Sequence, residues 1–128
     1  MDESTLTSKL VRDFNTGLPG CVVFKHFDVA TNGMPDLSVT WARCTLWVEV
    51  KYCKGKTRAT QIVTMKRLWQ AGLAYYVCFD FNENEPFTSI TQGNLLGERV
   101  LFEGHGTHRV VDFFKNKMRK EQYDPHRI

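Results

Sequence analysis

Residues 44–52 have the sequence CTLWVEVKY. Apolar and polar side chains alternate here with a period of two, and β-branched and aromatic residues are frequent, which predicts a β-strand with two different faces. The apolar face carries Leu46, Val48 and Val50. The opposite face carries Trp47, Glu49 and Lys51. The fold therefore contains a sheet, and an acid and a base share one of its faces.

Toward the amino terminus, the sequence predicts one helix and two further strands. The helix covers residues 3–15, is capped by Ser4 or Thr5 and is ended by the glycine-rich segment 17–20. Its apolar positions have helical spacing: Leu6, Leu10, Val11 and Phe14. Strands follow over residues 21–27 and 36–41, and a tight connection joins the second of them to residues 44–52.

Toward the carboxyl terminus, a helix begins at Thr57 or Thr60 and stops at Gly72, and an apolar strand follows over residues 73–81. The segment after residue 86 is expected to be a short helix or loop. A weak strand over residues 100–102 and a helix from about 110 to 121 then complete the chain before a short tail.

This order of elements predicts an α/β protein with a central mixed β-sheet flanked by helices. At 128 residues the chain is expected to form a single domain, residues 1–128. A carboxy-terminal helix and basic tail are expected over about residues 110–128.

Composition excludes several classes of protein. Hydrophobic residues make up 42% and charged residues 24%, the balance of a soluble globular domain, and no apolar run approaches a membrane span. The amino terminus lacks the order of a signal peptide, so a cytoplasmic location with no membrane partner is expected. The four cysteines lack zinc-ribbon spacing and are interpreted as small, buried, reduced core residues.

The net charge of +3 is small, but basic residues cluster locally. One cluster is Lys51, Lys54, Lys56, Arg58, Lys66 and Arg67. The second is Lys115, Lys117, Arg119, Lys120 and Arg127. Such clusters either follow a phosphate backbone or form solvated helix faces, and charge alone does not decide between the two.

The pairing of the second and third strands suggests chemistry. A short hairpin would bring Asp36 alongside Glu49, and two adjacent carboxylates repel unless a cation lies between them. A divalent ion such as Mg²⁺ suits these oxygens, with the backbone carbonyl of Val50 as a further ligand, and Lys51 would stand beside the attacking water and the phosphate. The alternative is a solvated outer strand face with cross-strand ion pairs.

Three segments in order, Gly33-Met34-Pro35-Asp36, Glu49-Val50-Lys51 and then Gln61 opening a helix, resemble the PD-(D/E)XK nuclease superfamily. Within it, the chain is most similar to the VRR-NUC group and to Holliday-junction-resolvase-like phage nucleases. The resemblance covers roughly residues 3–80, which are the expected catalytic core. It implies a restriction-endonuclease-like fold, dependence on Mg²⁺ or Mn²⁺, and cleavage of DNA, often branched duplex DNA, by a homodimer. It also implies a bacterial or phage-infected host cell.

The resemblance also implies roles for individual residues. Asp36 and Glu49 match the metal-binding carboxylates, Lys51 the catalytic lysine and Gln61 the motif glutamine near the metal or phosphate. An early helical glutamate of the family points to Glu3 as a further metal ligand, although Asp2 or Asp13 could be confused with it. Past residue 81 the resemblance ends.

Other polar residues have weaker assignments. Lys25 and the loop residues Lys54, Lys56 and Arg58 are candidate nucleic-acid contacts, with solvated side chains as the alternative. His26 is interpreted as a structural histidine. The pair His105 and His108 would suggest zinc, but no third ligand is evident nearby.

The sequence thus favours a metal-dependent endodeoxyribonuclease that acts on branched DNA as a homodimer, since cutting two strands needs two sites related by symmetry. The alternatives are a sequence-specific restriction endonuclease, a non-catalytic nucleic-acid-binding module, and a metal-free structural domain with Asp36, Glu49 and Lys51 as surface charges.

Overall fold

The structure is a computed structural model that describes residues 3–26, 34–52, 59–80, 87–92 and 100–122. It contains three helices and six strands within those ranges. In chain order they are α1 (Glu3–Gly17), β1 (Val22–Lys25), β2 (Leu37–Trp41), β3 (Cys44–Tyr52), α2 (Ala59–Ala71), β4 (Leu73–Asp80), β5 (Phe87–Gln92), β6 (Val100–His105) and α3 (Thr107–Gln122).

The six strands form one sheet in the order β1-β2-β3-β4-β5-β6. Strand β3 runs parallel to β4, and α2 is the helix of the crossover between them. All other neighbours are antiparallel. The protein is therefore α/β with a central mixed sheet flanked by helices, as the alternation of predicted elements indicated.

The helices divide between the two faces of the sheet. Helices α1 and α3 pack on one face, where Leu10, Phe14 and Phe114 join aliphatic side chains such as Val48 in the main hydrophobic core. Helix α2 lies on the other face and forms a smaller cluster around Met65. Burial of such side chains is the principal driving force for this arrangement. Glu49 and Lys51 lie on the face of α2.

The β2–β3 hairpin fixes the register that matters for the site. Its two-residue turn consists of Ala42 and Arg43, both with positive φ, 52° and 65°. Turns of this hand match the twist of antiparallel strands, although Asn and Gly adopt them more readily. The turn pairs Leu37 with Val48, so that Asp36, one residue earlier, lies opposite Glu49.

The expectation of a short helix or loop after residue 86 was wrong, because Phe87–Gln92 is strand β5. Its polar residues hid the pattern: Thr88 and Thr91 are buried together with Ile90. The strand depends on pairing with β4 and β6 on either side, which the local sequence does not show.

Two boundaries near the carboxyl terminus also differ from those expected. Strand β6 continues to His105, past residue 102, and α3 begins at Thr107 instead of 110. The Thr107 hydroxyl donates a hydrogen bond to the Asp13 carboxylate, which ties the start of α3 to α1. This long-range contact extends the helix beyond its apolar stripe. Residues 123–128, the expected basic tail, lie outside the described residues.

The cysteines only partly fit the core interpretation. Cys21, Cys44 and Cys78 form no disulfide, but each is partly exposed, so they lie at the margin of the core instead of its centre. Cys53 lies outside the described ranges. In the part of the chain that the structure describes, no helix is long and apolar enough to cross a bilayer.

Candidate metal centre

A row of polar side chains crosses the sheet on the face covered by α2. Each member lies opposite the next on the neighbouring strand. Glu49 pairs with Tyr76 and Tyr76 with Thr91 in the ladders of β3–β4 and β4–β5. One residue beyond the β1–β2 and β2–β3 ladders, Asp36 lies opposite both His26 and Glu49. The row is His26, Asp36, Glu49, Tyr76 and Thr91. In the adjacent position along β3, Lys51 lies on the same face, opposite Cys78. The row brings polar side chains from five neighbouring strands of the sheet together.

The Asp36 side chain is bound to the backbone of β3. The backbone N–H of Val50 donates a hydrogen bond of 2.9 Å to Oδ2 of Asp36. Extending the register by two residues would place Pro35 opposite Val50, where a proline has no N–H to donate to the Val50 carbonyl. The N–H and C=O of one strand residue point to the same edge. The carbonyl of Val50 therefore points toward the side occupied by the Asp36 carboxylate.

Glu49 is the most deeply buried charged side chain of the site, with 1% of its surface exposed. Burial raises its pKa to about 9, and a hydrogen bond with the Asp36 side chain and the charge of Asp36 add to the increase. Its Oε2 atom makes no hydrogen bond to any described residue. Without a cation, Glu49 is therefore a neutral acid at pH 7.

Lys51 supplies the nearest positive charge to Glu49. Its Nζ atom lies 4.0 Å from Oε2 of Glu49, and 15% of the side chain is exposed. This charge lowers the pKa of Glu49 but is outweighed by burial and by Asp36. Since 4.0 Å is the outer limit of an ion pair and Glu49 is protonated at pH 7, Lys51 and Glu49 do not form a strong ion pair in the metal-free protein.

The donor set fits a hard divalent cation. A buried carboxylate oxygen without a hydrogen-bond partner, a second carboxylate beside it and a backbone carbonyl directed to the same side are the oxygen ligands that Mg²⁺ prefers. Within the described ranges, no group of three or more His, Cys, Asp and Glu residues forms a metal cluster. The site thus offers two carboxylates, Asp36 and Glu49, and would leave other coordination positions to water or substrate, as Mg²⁺ sites usually do.

Glu3 and Lys25 lie at a cleft beside Asp36. Both line a cleft of about 230 Å³ that also contacts His26 and Asp36. Glu3 is exposed in the first turn of α1. Lys25 pairs with Leu37, which places it on the α1 face, and its Nζ donates a hydrogen bond of 3.1 Å to Ser8 Oγ. These residues form a wall of the cleft next to Asp36.

Several predicted site residues lie outside what the structure describes. Gln61 belongs to the first turn of α2 by its backbone, but its side chain is outside the described part. Gly33, Lys54, Lys56 and Arg58 lie entirely outside the described residues. Their predicted roles stay predictions.

His26 makes the hydrogen bonds expected of a structural histidine, but its place beside Asp36 was not predicted from the sequence. Its backbone N–H donates to the Asp36 carbonyl at 2.8 Å, and its Nε2 lies 2.9 Å from the hydroxyl oxygen of buried Ser38. It therefore belongs to the row of Asp36 and Glu49. Strand alternation predicts that Lys25 and His26 lie on opposite faces of the sheet. Which of them lies on the face of Glu49 depends on the β1–β2 register, which the sequence does not show.

The chain was compared with known proteins. No protein-family model matches it, and no curated protein gives a significant match. The function therefore has to be argued from the geometry and chemistry of the carboxylate pair and its surroundings.

Proposed function

We propose that the protein is a metal-dependent endodeoxyribonuclease of the PD-(D/E)XK type, structure-selective for branched DNA and dependent on Mg²⁺ or Mn²⁺. One observation carries the proposal: the buried Oε2 of Glu49 makes no hydrogen bond to a described residue and adjoins both a second carboxylate, Asp36, and an amine, Lys51. A site that keeps a carboxyl group buried with its pKa displaced by several pH units is a candidate for function on physical grounds.

In this proposal Asp36, Glu49 and the Val50 carbonyl hold the cation. The bond from the Val50 N–H fixes the orientation of the Asp36 carboxylate before any ligand arrives. Burial keeps water away from Glu49, so its oxygens are presented without a competing solvent shell. When bound, a divalent cation supplies Lewis acidity and charge neutralisation to a phosphodiester.

Lys51 acts on the substrate side of the same face. Its ammonium group is partly exposed and lies 4.0 Å from the carboxylate pair, so it can orient the attacking water or stabilise negative charge that develops on the phosphate. The mixed sheet flanked by helices is also the architecture that the resemblance implies. A homodimer would supply the second site needed to cut both strands of a duplex.

The direct test is cleavage of labelled four-way junction, flap and linear duplex DNA in Mg²⁺, Mn²⁺ or EDTA. We expect metal-dependent cutting of the branched substrates by the wild type and none by Asp36→Ala. Asp112→Ala is the matched control, since Asp112 is an exposed carboxylate on α3.

The alternatives give different results in the same experiment. Cutting at one sequence of linear duplex would indicate a restriction endonuclease. Metal-independent binding without cutting would indicate a binding module. Activity in Asp36→Ala equal to that of the Asp112→Ala control would refute the assignment of the site.

A further inference from the structure

Part of the sheet face that carries Glu49 is not covered by α2. The helix packs mainly over β4, whereas side chains of β1 and the far end of β2 remain exposed on this face. Phe24 is 59% exposed, and Val22 is 49% exposed. Since large apolar side chains this exposed and this close together are unusual on a monomer surface, the patch is a candidate binding surface.

Three aromatic rings lie in or beside this open area: Phe24, His26 and Trp47. Phe24 and Trp47 both lie opposite Ser38 and so point to the same face. The rings of His26 and Trp47 have centroids 5.5 Å apart and are inclined by 30°. Trp47 is anchored on its other side by the cluster under α2. We call Phe24, His26 and Trp47 the aromatic platform.

One ring of the aromatic platform, that of His26, is held in place by a hydrogen bond. His26 Nε2 lies 2.9 Å from the Ser38 hydroxyl oxygen, and Ser38 is buried, so the imidazole ring is held at a fixed position. A rigid aromatic surface loses little conformational entropy when a flat ligand stacks on it. The geometry therefore suits planar ligands better than flexible ones.

The platform adjoins the carboxylate pair. Trp47 precedes Glu49 by two residues on β3, a spacing of about 7 Å along a strand. On the side of Trp47 away from Glu49 lies a cleft of about 500 Å³, lined by Trp47, Thr45, Leu68 and the exposed Arg43. A ligand lying on the platform would thus have one end at Asp36, Glu49 and Lys51 and the other at the guanidinium of Arg43, which suits a phosphate.

We propose that the aromatic platform stacks unpaired nucleobases of the substrate strand, next to the phosphate held at the carboxylate pair. The inference rests on the proposed function and narrows its substrate class. The bases of an intact duplex already stack on one another and offer no free face. The favoured substrate therefore carries unpaired nucleotides beside the scissile bond, as at a flap or an open branch point.

A nucleic acid fits the observations better than a protein partner. Base stacking on aromatic side chains is tolerant of sequence and is worth about 1–3 kcal/mol per base. The platform lies between a predicted phosphate site and Arg43, so a strand whose bases stack on the platform could place a phosphate at each end. A second copy of this chain, added along the β1 strand, is the competing occupant.

The test measures binding in EDTA, where no cleavage occurs. Fluorescence anisotropy follows a labelled oligothymidine and an abasic strand of equal length, which keeps the phosphates but lacks the bases. We expect Phe24→Ala to weaken binding of oligothymidine about tenfold or more and to leave the abasic strand unaffected. Phe24→Trp should restore binding, because it keeps a stacking surface.

The matched control is Val63→Ala, because Val63 is also 59% exposed but lies on α2, outside the platform. The proposal would be overturned if Phe24→Ala and Val63→Ala bound oligothymidine with equal affinity. It would also be overturned if the wild type bound oligothymidine and the abasic strand with equal affinity. So would a wild-type dimer that Phe24→Ala converts to a monomer in light scattering. Because the assay needs no catalysis, selective loss of binding in Phe24→Ala supports the platform even if the cleavage test of the proposed function fails.

Discussion

The backbone N–H of Val50 donates a 2.9 Å hydrogen bond to the carboxylate of Asp36, where the β2–β3 ladder would otherwise continue. If the ladder continued, the carbonyl of Pro35 would accept this hydrogen bond; the Asp36 carboxylate accepts it instead. It thereby ends the hairpin and holds a charge beside Glu49. Fold and site are therefore coupled at this position, and substitutions of Asp36 can separate the two contributions.

Asp36→Asn and Asp36→Ala are expected to differ in stability but not in activity. Asn keeps an oxygen acceptor for the Val50 N–H, whereas Ala leaves this buried donor without its partner, at a cost of about 1–3 kcal/mol. Both remove one anionic ligand and should weaken Mg²⁺ binding more than about tenfold. Chemical unfolding and metal titration measure the two effects, and equal stability of the two variants would contradict the structural role of this bond.

The stability of the metal-free protein should fall as the pH rises. Burial and then Asp36 raise the pKa of Glu49 to about 9 from 4.5, so between these pH values the folded state binds a proton that the unfolded state has lost. The stabilisation is complete below pH 4.5 and is lost as the pH approaches 9. The slope from this group approaches about 1.4 kcal/mol per pH unit at most.

Urea unfolding in EDTA at several pH values tests this expectation. Glu49→Gln removes the titration while keeping a neutral side chain of the same shape, so its stability should vary less with pH and exceed that of the wild type at pH 8.5. If the unfolding free energies of the wild type and of Glu49→Gln changed equally between pH 5 and pH 8.5, Glu49 would not be a buried neutral acid.

Added Mg²⁺ should stabilise the protein more at pH 8.5 than at pH 6. The cation needs the ionised form of Glu49, so it must displace a proton, and its apparent affinity rises by up to about tenfold per pH unit below the pKa. The rise in the unfolding midpoint at a fixed Mg²⁺ concentration is the measurement. In Glu49→Gln the effect of Mg²⁺ should be small and nearly independent of pH.

The sequence predicted the part of the site that depends on strand alternation and a short hairpin. Glu49 and Lys51 share a face because they are two residues apart on β3, and Asp36 meets Glu49 because a two-residue turn leaves little freedom of register. The α/β class followed similarly from local periodicity. These features are set by contacts that are close in sequence.

The features that were missed depend on distant contacts. His26 joins the row through the pairing of β1 with β2 across a loop, and β5 exists because β4 and β6 pair with it on both sides. The pKa of Glu49 is likewise a consequence of burial under tertiary structure. Local propensity contains little information about such contacts.

Replacing Lys51 should impair catalysis without impairing the fold. The ammonium group lies 4.0 Å from Glu49, and 15% of the side chain is exposed, so Lys51→Ala removes a charge beside the proposed phosphate position. We expect kcat on a branched substrate to fall about 10²–10⁴-fold, the usual range for a group that assists proton transfer. Lys9→Ala is the control, because Lys9 lies on α1, on the opposite face of the sheet and outside both basic clusters. Equal kcat values for the two variants at saturating DNA would remove Lys51 from the mechanism.

Two buried threonines of β5 should respond in opposite ways to replacement by valine. Thr88 is fully buried, and its hydroxyl donates a 3.0 Å hydrogen bond to the Gly104 carbonyl on β6. Thr91 is 3% exposed, and its hydroxyl has no hydrogen-bond partner among the described residues. A satisfied buried hydroxyl adds about 1 kcal/mol to stability, whereas an unsatisfied one costs about 1–3 kcal/mol.

Thr88→Val should therefore lower the free energy of unfolding by about 1 kcal/mol, and Thr91→Val should raise it by a similar amount. The two substitutions are chemically identical and lie three residues apart on one strand, so each serves as the control for the other. Urea unfolding at pH 7 provides the comparison. If Thr91→Val destabilised the protein as much as Thr88→Val, the Thr91 hydroxyl would have a bonding partner in solution, and the polar row of the site would extend through it to β5.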